Sequence, residues 1–276
     1  MKENTLKKIW ADGGVVVNGW LAIPSSFSAE VMAHQGFDSL VVDIQHGAVD
    51  YQTAVPMLQA ICTTPVIPMA RVPWNDPAVL MKVLDAGAFG VVCPMVNNAE
   101  QAEALVRACK YPPRGYRSCG PIRAKYSCGA DYLDHADDNT LVIPQIETAQ
   151  ALDNLDRILE VPGIDAVYVG PSDLAMALGS HARTGQDHAV VVAAKKKVAE
   201  TCNRHGKLAG IHTPSAEAAF KAVEEGYRFV TIASDERFLA TKASAEVNSI
   251  RSALALGHTT GSSRVIKGIS SQSVYV

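Results

Sequence analysis

The 276-residue chain lacks any excess of basic charge: 25 Lys and Arg stand against 28 Asp and Glu, for a formal net charge of −3. No basic stripe runs along it, which argues against nucleic acid as the main partner. It also lacks long hydrophobic runs. None approaches the roughly 20 residues that a membrane span needs. The N-terminal stretch MKENTLKKIWADGG carries charges where a secretory signal has an apolar core. The six cysteines, Cys62, Cys93, Cys109, Cys119, Cys128 and Cys202, are scattered and form no C-x-x-C pair. They read as reduced thiols, with Cys62 and Cys93 as small core residues. A soluble, cytoplasmic protein is expected.

Hydrophobic residues make up 48% of the chain and charged residues 19%, enough apolar material to fill a core. Eight short apolar segments are strand candidates: 15–23, 39–44, 65–72, 89–96, 140–147, 165–170, 207–213 and 228–234. Each is apolar nearly throughout, the pattern of parallel strands buried on both faces. Helix-like stretches lie between them. In DPAVLMKVLDAG, Asp76 can cap, Pro77 suits the first turn and Gly87 can take the left-handed stop; Gly206 and Gly226 end later helices. No internal repeat and no G-x-G-x-x-G after the first segment are present, which disfavours a dinucleotide-binding open sheet. Eight βα units over about 250 residues predict an α/β fold, a single (β/α)₈ TIM barrel over 1–256. Residues 257–276 form a Gly/Ser-rich tail, and 111–139 a long loop with four basic side chains, Arg114, Arg117, Arg123 and Lys125.

Barrel enzymes carry their chemistry at the carboxyl ends of the strands. There this sequence delivers Asp43 and His46, Arg71, Gln145 and Glu147, Ser172 and Asp173, His212, and Ser234 with Asp235. Glu147 and Asp173 fall on consecutive strands, about 4.8 Å apart. Two adjacent carboxylates repel unless a proton or cation lies between them. A divalent ion with open positions for water and substrate fits such a pair. The alternative is that both acids cap the helices that follow them. Arg71 can hold a carboxylate or a developing oxyanion, or form an ordinary surface ion pair. His46 is a general base or a structural histidine. His212 reaches the same end and can line the mouth; the remaining histidines read as surface residues. No strand carries an interior or C-terminal lysine suited to a Schiff base.

The segments VVDIQHG, ARVPW, LDAGAFGVVCPMV, YPPRGYRSCGP, IPQIET and VYVGPSDLAMALG, in this order over residues 18–256, together resemble the HpcH/HpaI aldolase family. The resemblance implies a barrel of the phosphoenolpyruvate/pyruvate type, usually a homohexamer, with its last helix packed on a neighbouring subunit. It implies class II aldol chemistry on pyruvate and a small aldehyde with a divalent cation, Mg²⁺, Mn²⁺ or Co²⁺. Residue by residue, Glu147 and Asp173 would hold the metal, and Arg71 would steady the pyruvate oxygen. His46 would be the acid/base, supported by Asp43 and by Asp85 of an adjacent subunit. Gln145 would contact pyruvate, and the backbone of Gly170, Ser172 and Asp173 would hold its carboxylate. Three departures from the family pattern, Gln45, Phe89 and His212, are expected near the mouth, where they would affect the acceptor aldehyde. A citrate-lyase-β-like acyl-CoA lyase, using the basic 111–139 loop as a groove, and a non-catalytic binding barrel are the alternatives.

Overall fold

The computed structural model describes residues 2–255. Its eight strands are β1 (Val16–Leu21), β2 (Ser39–Asp43), β3 (Ile67–Arg71), β4 (Gly90–Cys93), β5 (Leu141–Ile146), β6 (Ala166–Val169), β7 (Leu208–Thr213) and β8 (Phe229–Ile232). They pair in parallel and in sequence order, and β8 closes on β1. The expected (β/α)₈ barrel is the one observed, with each strand one to four residues shorter in all than its apolar run.

Alternation along the strands explains why those runs are continuous. Leu40, Val42, Ala70, Val91, Val142, Val167 and Val230 face outward into a core shared with the surrounding helices. Val41, Ile67, Met69, Val92, Ile143, Tyr168 and Phe229 face inward and fill the barrel. Both faces are dry, so both parities are apolar. At mid-barrel a polar layer interrupts the filling. Asn18 Nδ2 and Tyr168 Oη both donate to Thr231 Oγ1, at 2.8 and 2.6 Å, and Ser39 Oγ donates to Asn18 Oδ1 at 2.7 Å. Each of these buried groups thus finds a partner, as it must.

The helix stops behave as the sequence predicts. Asp76 accepts from Ala78 N–H at the start of helix Pro77–Asp85, and Gly87, Gly206 and Gly226 all hold positive φ.

Residues 111–139 are not the structureless loop expected. They contain helices Ala124–Cys128 and Tyr132–Asn139. Ala124, Cys128, Tyr132 and Ala136 recur every fourth residue and pack with Leu6, Phe89 and Leu141 as a plug. The dense Pro and Gly of the first half hid this spacing. The segment runs from the end of helix Ala99–Cys109 to the start of β5, so it covers the amino-terminal rim, opposite the strand carboxyl ends. Phe89 is corrected in the same way: it precedes β4, is buried in this plug, and donates its N–H to Pro68 O. It does not lie near the mouth.

The described residues fall into two compact units, divided between Arg237 and Phe238. Helix Asp235–Ala255 spans this division. In the second unit Phe238, Leu239, Val247, Ile250 and Leu254 are exposed. The expected 257–276 tail lies outside the described residues. Among the described residues no helix is long and apolar enough to cross a membrane.

Asp235 ties the last strand to the first. Its buried carboxylate accepts from Ala22 N–H and Ser28 Oγ, at 2.8 and 2.9 Å. Asp235→Ala leaves those donors without a partner, a loss of about 2 kcal/mol. The thermal midpoint should fall by roughly 4–8 °C. A melt indistinguishable from the parent would refute this anchoring role.

Candidate active site

At the carboxyl end, the register of β2 and β3 sets Asp43 opposite Arg71. Arg71 grips the carboxylate with both arms of its fork, Nε to Oδ1 at 2.9 Å and Nη2 to Oδ2 at 2.6 Å. Trp20 Nε1 donates to Oδ2 at 3.0 Å, and the backbone N–H groups of Gln45 and His46 donate to Oδ1 at 3.1 and 3.2 Å. Burial alone would push Asp43 up. The Arg71 hydrogen bonds and charge, the indole and the His46 N–H outweigh it and hold the carboxyl below its ordinary range. Asp43 is therefore ionised, and it braces both the guanidinium and the turn that carries His46. The His46 side chain itself is exposed at the mouth.

Trp20 escaped the sequence reading. Its ring lies 4.9 Å below the Arg71 guanidinium, stacks on Tyr168 at 5.5 Å and meets His212 edge-on at 5.4 Å. The signal was parity: Val16, Asn18 and Trp20 share the inward face. His212 reaches the mouth as expected. The protein packed around it and the nearby Arg71 charge push its imidazole down to about 4, so it is neutral at physiological pH.

The charge of Asp173 acts on Glu147, and neither acid is a helix N-cap. Thr148 caps helix Ala149–Asp153, and Gly170 opens helix Pro171–Ala177. Glu147 is buried; its Oε1 accepts from Met95 N–H at 2.8 Å, and its Oε2 from Gln145 Nε2. Met95 offers that N–H from a left-handed conformation, φ 56°, a costly backbone state for a non-glycine residue. Nothing in the sequence signalled it. Burial raises the Glu147 carboxyl above its ordinary range and the charge of Asp173 adds to the rise; the Met95 and Gln145 bonds only partly offset it.

Gly170 shows how tightly this corner is built. A Cβ there would fall 2.4 Å from Gln145 Nε2 and 2.6 Å from Glu147 Oε2. Its φ of −93° is ordinary, so the requirement is space. Beside it Gln145 Oε1 is buried and, among the described residues, has no hydrogen-bond partner. Two carboxylates repelling each other beside an unsatisfied amide oxygen form an all-oxygen donor set. That set fits a hard divalent cation. Among the described residues no group of three or more His, Cys, Asp or Glu side chains forms a closed metal cage.

Asp85 does not join this group within one chain. It ends helix Pro77–Asp85, which returns from β3 to the amino-terminal rim, and there it pairs with Arg117. The basic side chains of 111–139 lie on that same rim. Arg114 pairs with Asp138, Arg117 is buried, and Arg123 donates to Ala86 O. They form no phosphate groove at the mouth, which removes the feature that favoured an acyl-CoA lyase.

A (β/α)₈ barrel with an acid pair, an arginine and a histidine at one rim defines a class of carbon–carbon bond enzymes, and the comparisons specify it. A model of the HpcH/HpaI aldolase/citrate lyase family matches residues 19–241, and the chain belongs to that family. It is 40% identical over 240 residues to a hydroxypyruvate/pyruvate aldolase of Rhizorhabdus wittichii, covering 87% of this chain and 96% of the relative. It is 39% identical over 246 residues to a 4-hydroxy-2-oxo-heptane-1,7-dioate aldolase of Escherichia coli, covering 88% and 93%. A crystal structure of a family member from Burkholderia cenocepacia superposes with a TM-score of 0.84 at 31% identity, covering 90% of this chain and 99% of that one. The chain is an enzyme, a carbon–carbon lyase of the aldolase class.

The raised Glu147 carboxyl has a consequence for stability. A carboxyl whose folded pKa lies above its unfolded value contributes fully below the unfolded pKa, and that contribution is lost as pH rises through the folded value. At neutral pH in chelator, Glu147→Gln should therefore melt no lower than the parent, while its activity is lost. A variant clearly less stable than the parent under those conditions would contradict the strained acid pair. His212→Gln, by contrast, should leave the pH–rate profile above about pH 5 in place, since the imidazole titrates at about 4.

Proposed function

We propose that the chain is a divalent-metal-dependent class II pyruvate aldolase. It cleaves a 4-hydroxy-2-oxo acid reversibly to pyruvate and a small aldehyde. The observation that carries this reading is Glu147, raised by its burial and further by the charge of Asp173, beside the unsatisfied Gln145 Oε1, with the Arg71 cation fixed nearby. Glu147 and Asp173 would hold Mg²⁺, Mn²⁺ or Co²⁺. When bound, the ion supplies Lewis-acid polarisation of the carboxylate and keto oxygens of a 2-oxo acid.

The chain's own groups do the rest. Arg71, locked by Asp43 and backed by Trp20, places positive charge where the C2 oxygen becomes an oxyanion. In cleavage His46 takes the proton of the C4 hydroxyl. The C3–C4 bond breaks, its electron pair moves toward the C2 oxygen, and the aldehyde departs. His46 then returns a proton to C3, giving pyruvate. Gln145 contacts the 2-oxo acid. The N–H groups of Ser172 and Asp173 hold its carboxylate, since Pro171 has none to give, and Gly170 leaves the room. His212 lines the pocket as a neutral imidazole.

Two features support a shared site in a homo-oligomer, a hexamer in this reading. Asp85 faces the rim opposite its own His46, so it serves the His46 of another copy. The exposed Phe238, Leu239, Val247, Ile250 and Leu254 on the last helix suit packing against a neighbouring subunit. Six free cysteines, four of them buried, fit a reducing cytoplasm.

Pyruvate release from a panel of 4-hydroxy-2-oxo acids should stop in excess chelator and return with added divalent ion. Full activity in chelator would overturn the metal reading. Arg71→Ala should lose about 10²–10³ in kcat while still folding. Oligomers mixed from His46→Ala and Asp85→Asn chains should regain activity that neither parent pool has. No recovery after verified mixing would place the whole site within one chain.

A further inference from the structure

The segment over the amino-terminal rim contains an arginine whose cost the barrel's stability does not explain. Arg117 has a fully buried side chain. Its Nη2 donates to Asp85 Oδ1 at 2.6 Å and to Tyr132 Oη at 3.0 Å. The guanidinium lies 4.6 Å from the Tyr111 ring and 5.6 Å from the Tyr132 ring. Among the described residues its Nε and Nη1 have no hydrogen-bond partner. Burying a guanidinium with part of its donor set unused is expensive, and an apolar side chain of similar volume would fill the same space at less cost. Tying the segment to the barrel needs no such device. Lys7 Nζ and Asn4 Nδ2 already donate to the backbone carbonyls of Asp138 and Asn139, and Arg123 donates to that of Ala86.

The carboxylate it holds is also in an unfavourable place. Asp85 is the last residue of its helix, where the dipole's negative end repels an acid. Its side chain is 27% exposed, and among the described residues only Oδ1 is engaged. It borders a groove of roughly 230 Å³ with Tyr51, Val55, Lys82 and Ile122. A rigid cation railed between two aromatic rings thus fixes one oxygen of one half-exposed acid.

We propose that Arg117 is a positioning residue for the reaction. It holds the Asp85 carboxylate in a single orientation on the amino-terminal rim, ready to meet His46 of a second copy of this chain. The inference rests on the reading of Asp85 given above and adds what keeps that acid in place. Lysine cannot replace it fully, because its compact ammonium lacks the flat guanidinium face that lies against the Tyr111 and Tyr132 rings.

The test compares Arg117→Met, Arg117→Lys, Asp85→Asn and the double variant Arg117→Met/Asp85→Asn in the full-length oligomer. Subunit number, thermal midpoint, kcat and KM are read for each. Arg117→Met should keep its subunit number and midpoint, leave KM within about twofold, and lose up to about 10²-fold in kcat, the scale of a misplaced catalytic group. The double variant should be no slower than Asp85→Asn alone, because both act through one carboxylate. Parental kcat in Arg117→Met beside a slow Asp85→Asn overturns the proposal, as does a double variant whose losses multiply. Parental kcat in Asp85→Asn instead overturns the reading of Asp85 itself. Should Arg117→Met not assemble, Arg117→Lys decides: an assembled enzyme with lowered kcat and unchanged KM supports the role, and one with parental kcat removes it.

Discussion

The forked pair between Arg71 and Asp43 is the interaction on which the carboxyl-terminal rim depends. Both residues are inward-facing ends of neighbouring strands, so strand register alone brings them opposite. Each would be costly there without the other, since an unpaired charge in a packed barrel loses its solvation. Paired, they satisfy one another, and Asp43 has acceptor capacity left for the Trp20 indole and for the turn leading to His46. One carboxylate thereby orients a cation, an aromatic platform and the approach of an imidazole. A closed eight-stranded sheet suits this purpose, because its end residues cannot move apart without breaking the barrel.

The two rims divide the labour. The carboxyl-terminal rim holds groups that are strained, repelled or neutral against their ordinary tendency: Glu147 above its usual range, His212 below, Met95 in a left-handed turn. The amino-terminal rim is filled by helix Thr5–Ala11 and by the helices of 124–139, with Phe89, Leu141 and Tyr132 packed beneath the barrel. Stability gathered at one end compensates for tension at the other. Asp85 is the exception, a catalytic candidate on the structural rim, and it makes sense there only if two copies share a centre.

Much of this was legible from the chain. Double-faced burial turns each barrel strand into an apolar run, so eight strands stood out, and the polar residues that end those runs, Asp43, Arg71, Glu147, Asp173 and His212, reach the same rim. What stayed hidden did so for definable reasons. Trp20 looked like core filling, because hydrophobic patterning does not register an indole N–H. Arg117 read as a surface cation, because charge predicts exposure unless a partner three-dimensionally close, here Asp85 and Tyr132, is known. The helices of 124–139 were masked by Pro112, Pro113, Gly115, Gly120 and Pro121. Phe89 differs from the expectation because a residue that precedes a strand lies at its amino end, and the apolar run that contains it does not mark where the strand begins. The left-handed Met95 has no residue-type signature at all.

Gly170 carries a lesson for redesign. A Cβ at this position would run into both the amide of Gln145 and the acid of Glu147. Even a methyl group would push both side chains, and with them whatever they bind, so the pocket wall formed by β6 is closed to variation. Ser172, by contrast, is exposed, with its Oγ accepting from Gln186 Nε2 at 3.1 Å, so a change there meets solvent rather than a packed wall.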